Sequence, residues 1–276
     1  MQKVVLFYKK DKNIAAAAKA IEKVLRKKFR VTLMESHSKL KGKFDLMVAV
    51  GGDGTILKGA VAASPHGIPI LGVNLGIVGF LSEIKPGEIN SAASRILSGS
   101  YKLDERMMVR AEIIRRGKKI SITDALNDIV ISKSGIARLI KFSVFIDGEL
   151  MRQHNADGII ISTPTGSTAY NVSVGGPIVY PIYPMFTVCA ICPHSMSDRP
   201  LVVPARRDLE LVEIKVKILQ TPGEGGSVLL TADGQKVIPL KADDEIVFRE
   251  APFKTKFIRL KRYDFFKVLR EKLNWI

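Results

Sequence analysis

The chain is poor in cysteine and lacks long apolar runs, and both shortages exclude classes of protein. Only 2 of its 276 residues are cysteine, which excludes a disulfide scaffold and favours a reducing compartment. No apolar run reaches the roughly 18 residues of a membrane span. The N-terminus also lacks the apolar region and cleavage site of a signal peptide. We therefore expect a cytoplasmic protein that has no membrane segment.

Acidic and aromatic residues are also scarce. The chain has 43 Lys and Arg against 27 Asp and Glu, a formal net charge of +16, and aromatic residues make up 7%. Such a charge is typical of nucleic-acid-binding proteins, and it equally suits proteins whose ligands are polyanions. The basic residues form short pairs without interleaved aromatics. Nucleic acid is therefore not the expected partner, although a non-enzymatic nucleic-acid-binding protein is kept as an alternative.

The length and the apolar patterning predict two domains. Apolar residues make up 46% of the chain, enough to fill a core, and about 150 residues per domain is usual. In residues 1–100, strand-like and helix-like patterns alternate, which predicts an open, mostly parallel, Rossmann-like α/β domain. The strand-like runs are 4–8, 31–33, 46–50 and 68–73, and the helix-like ones are 14–29, 55–63 and 86–97.

Residues 101–251 show a different pattern, which predicts a C-terminal β-sandwich domain. Strand-like runs dominate, and Asp147-Gly148 and Asp233-Gly234 are dipeptides typical of hairpins. Residues 252–276 end with helical spacing, and we expect this closing helix to return to the first domain. The strand-like runs are 107–115, 120–132, 140–146, 159–162 and 209–218.

A glycine-rich loop follows the apolar run 46–50. In Gly51-Gly52-Asp53-Gly54-Thr55, the glycines permit positive φ and close approach to a ligand, and the following helix N-terminus favours a phosphate. Asp53 can accept a proton from a hydroxyl or hold Mg²⁺. The alternative is an ordinary turn in which Asp53 or Thr55 caps the helix. No Gly-Lys-[Ser/Thr] follows, so this is not a Walker A loop.

This run resembles the GGDGT motif of a kinase superfamily that includes NAD kinases, lipid kinases and 6-phosphofructokinases. The resemblance implies phosphoryl transfer from a nucleoside triphosphate to a hydroxyl, without choosing the hydroxyl. The run 74–81, which begins at Asn74, resembles the NxGxxGFL motif of NAD kinases. From the residues alone, it is equally a plain connection between a strand and a helix.

A more specific block begins at Asp157. An apolar strand ends in small hydroxyl residues broken by Pro and Gly; Ser167 is placed to cap a short helix, and Tyr170 offers a ring for stacking. The alternative is a hydroxyl-rich turn with Tyr170 in the core. Residues 157–177 closely resemble the DG…TPTGSTAY…GGP block of NAD kinases.

Three further segments resemble the same family. Asn127-Asp128 resembles the pair that holds the adenosine part of NAD, although an Asx turn explains it equally. Residues 191–200 resemble the ICPH…RP block, and 233–235 the DGQ hairpin. Cys189 and Cys192 have a metal-ligand spacing, but a second ligand pair is missing, so no metal site is expected. His194 is expected to be a structural histidine.

The resemblance covers nearly the whole chain and implies an NAD kinase. Such an enzyme transfers the terminal phosphoryl group of ATP, or of polyphosphate, to the 2′-hydroxyl of the adenosine ribose of NAD, giving NADP. Asp53 would be the general base, and Mg²⁺ would be held with the donor phosphates rather than by the protein alone. The resemblance also implies a homodimer or homotetramer. The alternative is a diacylglycerol-type lipid kinase of the same superfamily.

Candidate substrate-contacting residues follow mostly from the resemblance. Lys58 has an alternative as a solvated helix lysine, and Asn155 stands where many members have Lys or Arg. The candidates are Gly52, Asp53, Gly54, Thr55, Lys58, Asn74, Asn127, Asp128, Arg138, Asn155, Asp157, Thr168, Ala169, Tyr170, Ser173 and Gln235.

Overall fold

The computed structural model describes residues 2–76, 79–135, 138–223 and 226–275. The strands are β1 (Lys3–Tyr8), β2 (Arg30–Glu35), β3 (Leu46–Val50), β4 (Ile70–Val73), β5 (Lys102–Arg106), β6 (Val109–Arg115), β7 (Lys118–Ala125), β8 (Asp128–Ser134), β9 (Ile140–Ile146), β10 (Glu149–Ala156), β11 (Gly158–Ser162), β12 (Met185–Ile191), β13 (Leu201–Pro204), β14 (Arg206–Arg207), β15 (Glu210–Leu211), β16 (Ile214–Gln220), β17 (Ser227–Ala232), β18 (Lys236–Leu240), β19 (Glu245–Glu250) and β20 (Thr255–Arg259). The α-helices are α1 (Lys12–Leu25), α2 (Asp53–Ala63), α3 (Ile89–Leu97), α4 (Tyr170–Ser173) and α5 (Phe265–Leu273).

The chain divides into two compact units, Met1–Arg106 with Phe253–Ile276, and Met107–Pro252. The first unit is an α/β domain whose sheet has the order β2-β1-β3-β4-β20-β5. Every pair in this sheet is parallel except β20 with β5. All five residues of β3 are buried, as expected for a parallel strand covered on both faces.

The strand order creates a switch point beside β3. Because β1 lies between β2 and β3, the connections that follow β1 and β3 leave the sheet in opposite directions. Ligands of open α/β sheets bind at such points, beyond the carboxyl ends of the strands. The glycine loop begins at this edge, directly after Val50.

The second unit is an antiparallel β-sandwich. Its two large sheets have the orders β10-β9-β16-β19-β6-β7 and β13-β12-β11-β8-β17-β18. Burial alternates along β6 and β16, which is the pattern of strands with one face in the core. The inner faces share a single apolar cluster whose largest buried side chains are Phe142, Phe186 and Phe248.

The expected fold class is confirmed, with one change at the boundary. Strand β5 pairs with β20 along its whole length and belongs to the first unit, whereas the sequence interpretation placed residues 101–106 in the second domain. Helix α5 belongs to the first unit, as expected. Among the described helices, none is long and apolar enough to cross a membrane.

Candidate functional site

The glycine loop brings Asp53 to the edge of the first sheet. Gly51 has a φ of 147°, a conformation that side chains rarely adopt, so its glycine is required by the backbone. Gly52 precedes helix α2 as its N-cap, without a side-chain cap bond, and Asp53 is the first helical residue. The alternative interpretation, in which Asp53 or Thr55 caps the helix, is therefore wrong.

Gly52 and Gly54 have a different environment from Gly51. A methyl group at either position would have no described atom within 4 Å outside its chain neighbours and its own helix. Neither glycine has a positive φ. Folding of the described residues therefore does not require glycine at these two positions, and the space beside them is open.

Among the described residues, one oxygen of the Asp53 carboxylate accepts a hydrogen bond and the other does not. Its Oδ2 accepts the N–H of Phe80 at 3.1 Å, while its Oδ1 is buried and has no hydrogen-bond partner among the described residues. Burial raises the pKa of Asp53; the backbone N–H groups of Phe80 and Leu81 and the charges of Lys272 and Arg259 oppose this rise without cancelling it. The site thus presents a carboxyl oxygen that is able to accept a proton.

The loop after β4 provides the donors to Asp53. Asn74 is buried, and its Oδ1 accepts the N–H of Gly76 at 2.8 Å. Ser82 Oγ accepts the N–H of Gly79 at 2.8 Å. Asn74 therefore shapes this loop through its side-chain oxygen. The predicted motif also includes residues 77 and 78, which lie outside the described residues.

In the second unit, Asp233 organises the bend between β7 and β8. Its carboxylate accepts the N–H groups of Leu126, Asn127 and Asp128 at 3.0, 2.8 and 3.3 Å. Burial, with the nearby Asp233 charge, raises the pKa of Asp128 to about 7. Burial raises the pKa of Asp233 to about 6, and the three N–H groups oppose this rise. The bend therefore holds two neighbouring carboxyls, buried Asp128 and half-buried Asp233, whose pKa values are both raised toward neutral pH.

The hydroxyl-rich block meets the same bend. Thr163 donates its N–H to Asn127 O at 2.8 Å and its hydroxyl to Leu126 O at 2.5 Å. Ser167 donates its hydroxyl to Pro164 O at 2.7 Å and does not cap a helix, so that expectation is wrong. Tyr170 is 44% exposed, which contradicts the alternative that buries its ring in the core.

Other candidates in this unit lie outside the strands, with Thr168 in a 3-10 turn and Ser173 at the end of α4. Thr168 donates its hydroxyl to Thr165 O at 3.3 Å, and Gln235 donates its N–H to Ala232 O at 2.9 Å. Ala169 is half-buried, whereas Arg138 and Ser173 are exposed. In the first unit, Thr55 is buried behind Gly51, and Lys58 is exposed without an ion pair among the described residues.

Asn155 and Asp157 lie at the opposite end of β11 from this cluster. Strand β11 pairs its Ser162 with Asp128 and its Gly158 with Ser132. Asp157 is therefore about 17 Å along the strand from Ser162, at about 3.3 Å per residue. Asp157 forms an ion pair with Lys133 at 2.6 Å, and Asn155 is exposed. Within the second unit, Asn155 and Asp157 thus lie apart from the residues at the bend before β8.

The two cysteines and the histidines among the described residues are not grouped as metal ligands. Cys189 is buried and donates to Asn171 Oδ1 at 3.0 Å, whereas Cys192 is exposed. Throughout the described ranges there is no group of three potential metal-ligating side chains. His194 is exposed, and its backbone N–H donates to Asn155 O at 2.9 Å; His154 is buried, with Nδ1 2.9 Å from Asp198 Oδ2.

Several residues around the candidate sites were not identified from the sequence. Gly79 lies within the second predicted motif, Glu83 follows it, and Lys133 of β8 pairs with the predicted residue Asp157. Arg259 and Lys272 act on Asp53 from more than 200 positions away. Only Gly79 carried a local signal, because it belongs to the NxGxxGFL motif.

The fold and the loop together define a kinase of the GGDGT type. Sequence comparison makes this specific, since residues 6–101 match the ATP-NAD kinase N-terminal domain and residues 126–260 match the ATP-NAD kinase C-terminal domain. The chain belongs to the NAD kinase family. The NAD kinase of Aquifex aeolicus (strain VF5) is 42% identical over 282 residues, covering 100% of both chains. That of Koribacter versatilis (strain Ellin345) is 44% identical over 231 residues, covering 84% of this chain and 78% of the relative.

Two solved structures are similar along nearly the whole chain. The crystal structure of yeast NADH kinase complexed with NADH has a TM-score of 0.86 at 27% identity, covering 100% of this chain and 88% of that one. An NAD kinase from Archaeoglobus fulgidus in complex with ATP has a TM-score of 0.73 at 26% identity, covering 99% and 97%. These comparisons give no support to the lipid kinase alternative.

Proposed function

We propose that this chain phosphorylates the 2′-hydroxyl of the adenosine ribose of NAD, with Asp53 as the general base. The observation that carries the role of Asp53 is its buried, unpartnered Oδ1 in the GGDGT loop of an NAD kinase family member. The 2′-oxygen forms a bond to the terminal phosphorus of the donor, and the bond from that phosphorus to the leaving phosphate breaks. The hydroxyl proton passes to Asp53. With ATP as donor, the products are NADP and ADP.

The glycine loop supports binding of the donor. The open space over Gly52 and Gly54 leaves room for phosphates beside the N-terminus of α2, whose backbone N–H groups favour negative charge. Thr55 and Lys58 follow on the same helix. Because phosphoryl transfer passes through a loose transition state, positioning and electrostatics carry most of the catalysis.

We assign the adenosine contacts to the cluster at the bend before β8. Asn127 and Asp128 lie at this bend, and Tyr170 exposes a ring for stacking on a base. A carboxyl whose pKa is about 7, as in Asp128, can accept or donate a hydrogen bond at neutral pH. The remaining assigned contacts are Asn74, Arg138, Asn155, Asp157, Thr168, Ala169, Ser173 and Gln235.

The proposed divalent cation is Mg²⁺, held with the donor phosphates. Asp53 brings a single carboxylate, and no cluster of three ligand side chains occurs in the described part of the chain, which suits a cation that arrives with its phosphates. When bound, Mg²⁺ offsets the negative charge that the phosphoryl oxygens carry.

We also propose a cytoplasmic homodimer or homotetramer. Asn155 and Asp157 lie at the far end of β11 from Asp128, so a second copy is one way to bring both sets to one nucleotide. Both cysteines are unpaired, which suits a reducing compartment. ATP, another triphosphate or polyphosphate is the donor, and NADH is the second candidate acceptor, since a similar structure is a yeast NADH kinase with NADH.

The test is incubation with NAD, Mg²⁺ and either ATP or polyphosphate, followed by measurement of NADP with an NADP-specific dehydrogenase. We expect NADP to form with at least one donor and Asp53→Asn to abolish it. Because Asn retains the acceptor for the Phe80 N–H, the variant is expected to fold. Activity of folded Asp53→Asn within a few-fold of wild type would refute the role of Asp53.

A further inference from the structure

The last strand of the first unit ends in a buried arginine. Arg259 is 3% exposed; its Nε donates to Asp104 Oδ2 at 2.9 Å and its Nη1 to Glu83 Oε2 at 3.3 Å. The guanidinium lies over the ring of Tyr263, 4.4 Å from the centroid. These contacts fix the guanidinium on three sides.

Glu83 connects this arginine to the loop that holds Asp53. Its Oε1 accepts the N–H groups of Leu260 and Lys261 at 2.8 and 3.0 Å. Three residues before Glu83, the N–H of Phe80 donates to Asp53 Oδ2. The segment 79–83 is therefore bound at one end to the proposed base and at the other to the chain around residue 260.

Two buried polar atoms in this network have no partner. Within the described residues, neither Nη2 of Arg259 nor Oδ1 of Asp53 has a hydrogen bond. Buried polar atoms are nearly always bonded, so an unmatched donor and an unmatched acceptor in one network point to a function beyond folding. The acceptor Oδ1 of Asp53 suits a ligand hydroxyl, and the donor Nη2 of Arg259 suits a ligand oxygen such as that of a phosphate.

Positive charge from the C-terminal part of the chain reaches Asp53. Lys272 in the last turn of α5, and then Arg259, are the two charges that lower the pKa of Asp53 against the effect of burial. Lys272 is partly exposed and forms no ion pair with any carboxylate of the described chain. Arg259 itself is paired with the carboxylates of Glu83 and Asp104.

We propose that the C-terminal strand and helix of this chain are part of its catalytic apparatus. Arg259 is a positioning residue, which fixes the segment 79–83 through Glu83, and the positive charges of Arg259 and Lys272 act on the proposed base from the C-terminal part of the chain. This inference rests on the proposed role of Asp53 as the base.

The experiment is the pH dependence of kcat in Lys272→Met and Arg259→Gln, each with a matched control. Lys267→Met removes a lysine from the same helix, where it lies near Glu271. Arg106→Gln removes a guanidinium that also binds Asp104 and lies over Tyr263, but whose charge is not among those acting on Asp53. We expect the acidic limb of the pH profile of kcat to move to higher pH, by roughly half a pH unit to one pH unit, in both test variants. The controls should leave the limb in place.

The outcome is decisive even if buried Arg259 does not tolerate substitution. Lys272→Met changes a partly exposed side chain, so an unmoved acidic limb in the folded Lys272→Met variant would overturn the proposal. An equal shift in Lys267→Met or Arg106→Gln would also overturn it. If Asp53→Asn stays active, the proposed base is wrong. If Asp53→Asn is inactive but the acidic limbs of Lys272→Met and Arg259→Gln do not move, only the inference about the C-terminal segment fails.

Discussion

Asp53 and Gly79 are in direct contact, and the contact leaves no room for a side chain on Gly79. A methyl group at Gly79 would lie 2.0 Å from Asp53 Oδ1 and 2.3 Å from Oδ2. Residue 79 must therefore be glycine, because the Asp53 carboxylate from a different loop occupies the space that a side chain would need. The two motifs are separate in the sequence, but in the folded protein Asp53 of the first contacts Gly79 of the second.

Gly79→Ala is expected to displace the Asp53 carboxylate from the Phe80 N–H. Because a misplacement of about 1 Å in a reacting group can cost 10²-fold, we expect kcat to fall by about 100-fold. Steady-state kinetics would measure this, with Gly87→Ala as the control, since a methyl there meets no described atom within 4 Å. Full activity of Gly79→Ala would show that the carboxylate position is not critical.

Gly54→Ala separates binding from folding. The open space at Gly54 and its helical position predict unchanged or slightly higher stability, by up to about 1 kcal/mol. The KM of the phosphoryl donor should rise on the order of tenfold, because the methyl fills space left for phosphate. In Gly59→Ala, the new methyl would lie 3.0 Å from Met47 Sδ, so stability should fall by about 1–3 kcal/mol with KM unchanged. The reverse pattern would contradict the donor assignment.

Asp128→Asn is expected to stabilise the protein while weakening NAD binding. The pKa of Asp128 is raised to about 7, so the folded state binds more protons than the unfolded state between its ordinary pKa and 7. Stability contributed by the neutral acid is therefore lost as the pH rises through this window. The gain from Asp128→Asn should be about 2 kcal/mol larger at pH 8 than at pH 5.

Urea denaturation at the two pH values measures this difference, and Asp208→Asn on the exposed turn after β14 is the control for the change in net charge. The KM of NAD should rise about tenfold in Asp128→Asn, because a hydrogen bond to the nucleotide is altered. A stabilised variant with an unchanged KM would show that Asp128 does not contact NAD.

Asp157→Ala and Tyr170→Ala test whether two copies share one site. Each variant alone is expected to lose most NAD kinase activity. If one copy supplies Tyr170 and its neighbour supplies Asp157, a mixed dimer regains one intact site, which predicts about a quarter of wild-type activity after statistical mixing. Mixing by co-expression, followed by the NADP assay, is the measurement. No recovery in a verified mixed oligomer would argue against a shared site.

Patterns of short range predicted most of the fold. The apolar run 46–50 is the buried central strand β3, and alternating runs after residue 106 form the sandwich. The predicted strand 120–132 is two strands, because the Asp233 carboxylate binds the N–H groups at the bend between them. That bond joins residues more than 100 positions apart, so no local pattern reveals it.

For the candidate site too, the sequence predicts the features that depend on neighbouring residues and misses those that depend on distant ones. The glycines of the GGDGT run predict a ligand-facing loop, whereas the TPTGSTAY run is assigned to the site through its resemblance to NAD kinases. The contacts of Asp53 with Phe80 and Gly79 depend on β3 and β4 being neighbours, and the field of Arg259 depends on β20 pairing with β4. These relationships arise from the strand order, which the apolar pattern alone does not specify.

The position of β20 in the chain determines when the sheet of the first unit can be completed during translation. Strand β20 pairs with β4 and β5, yet about 150 residues of sandwich separate it from β5 in the chain. On the ribosome, the first 106 residues therefore emerge with β4 as an exposed edge, and with Glu83 and Asp104 awaiting Arg259. The loop that holds Asp53 cannot be completed before translation of the sandwich is finished. A nascent chain consequently lacks Arg259, the partner of Glu83 and Asp104, until the whole second unit has been made.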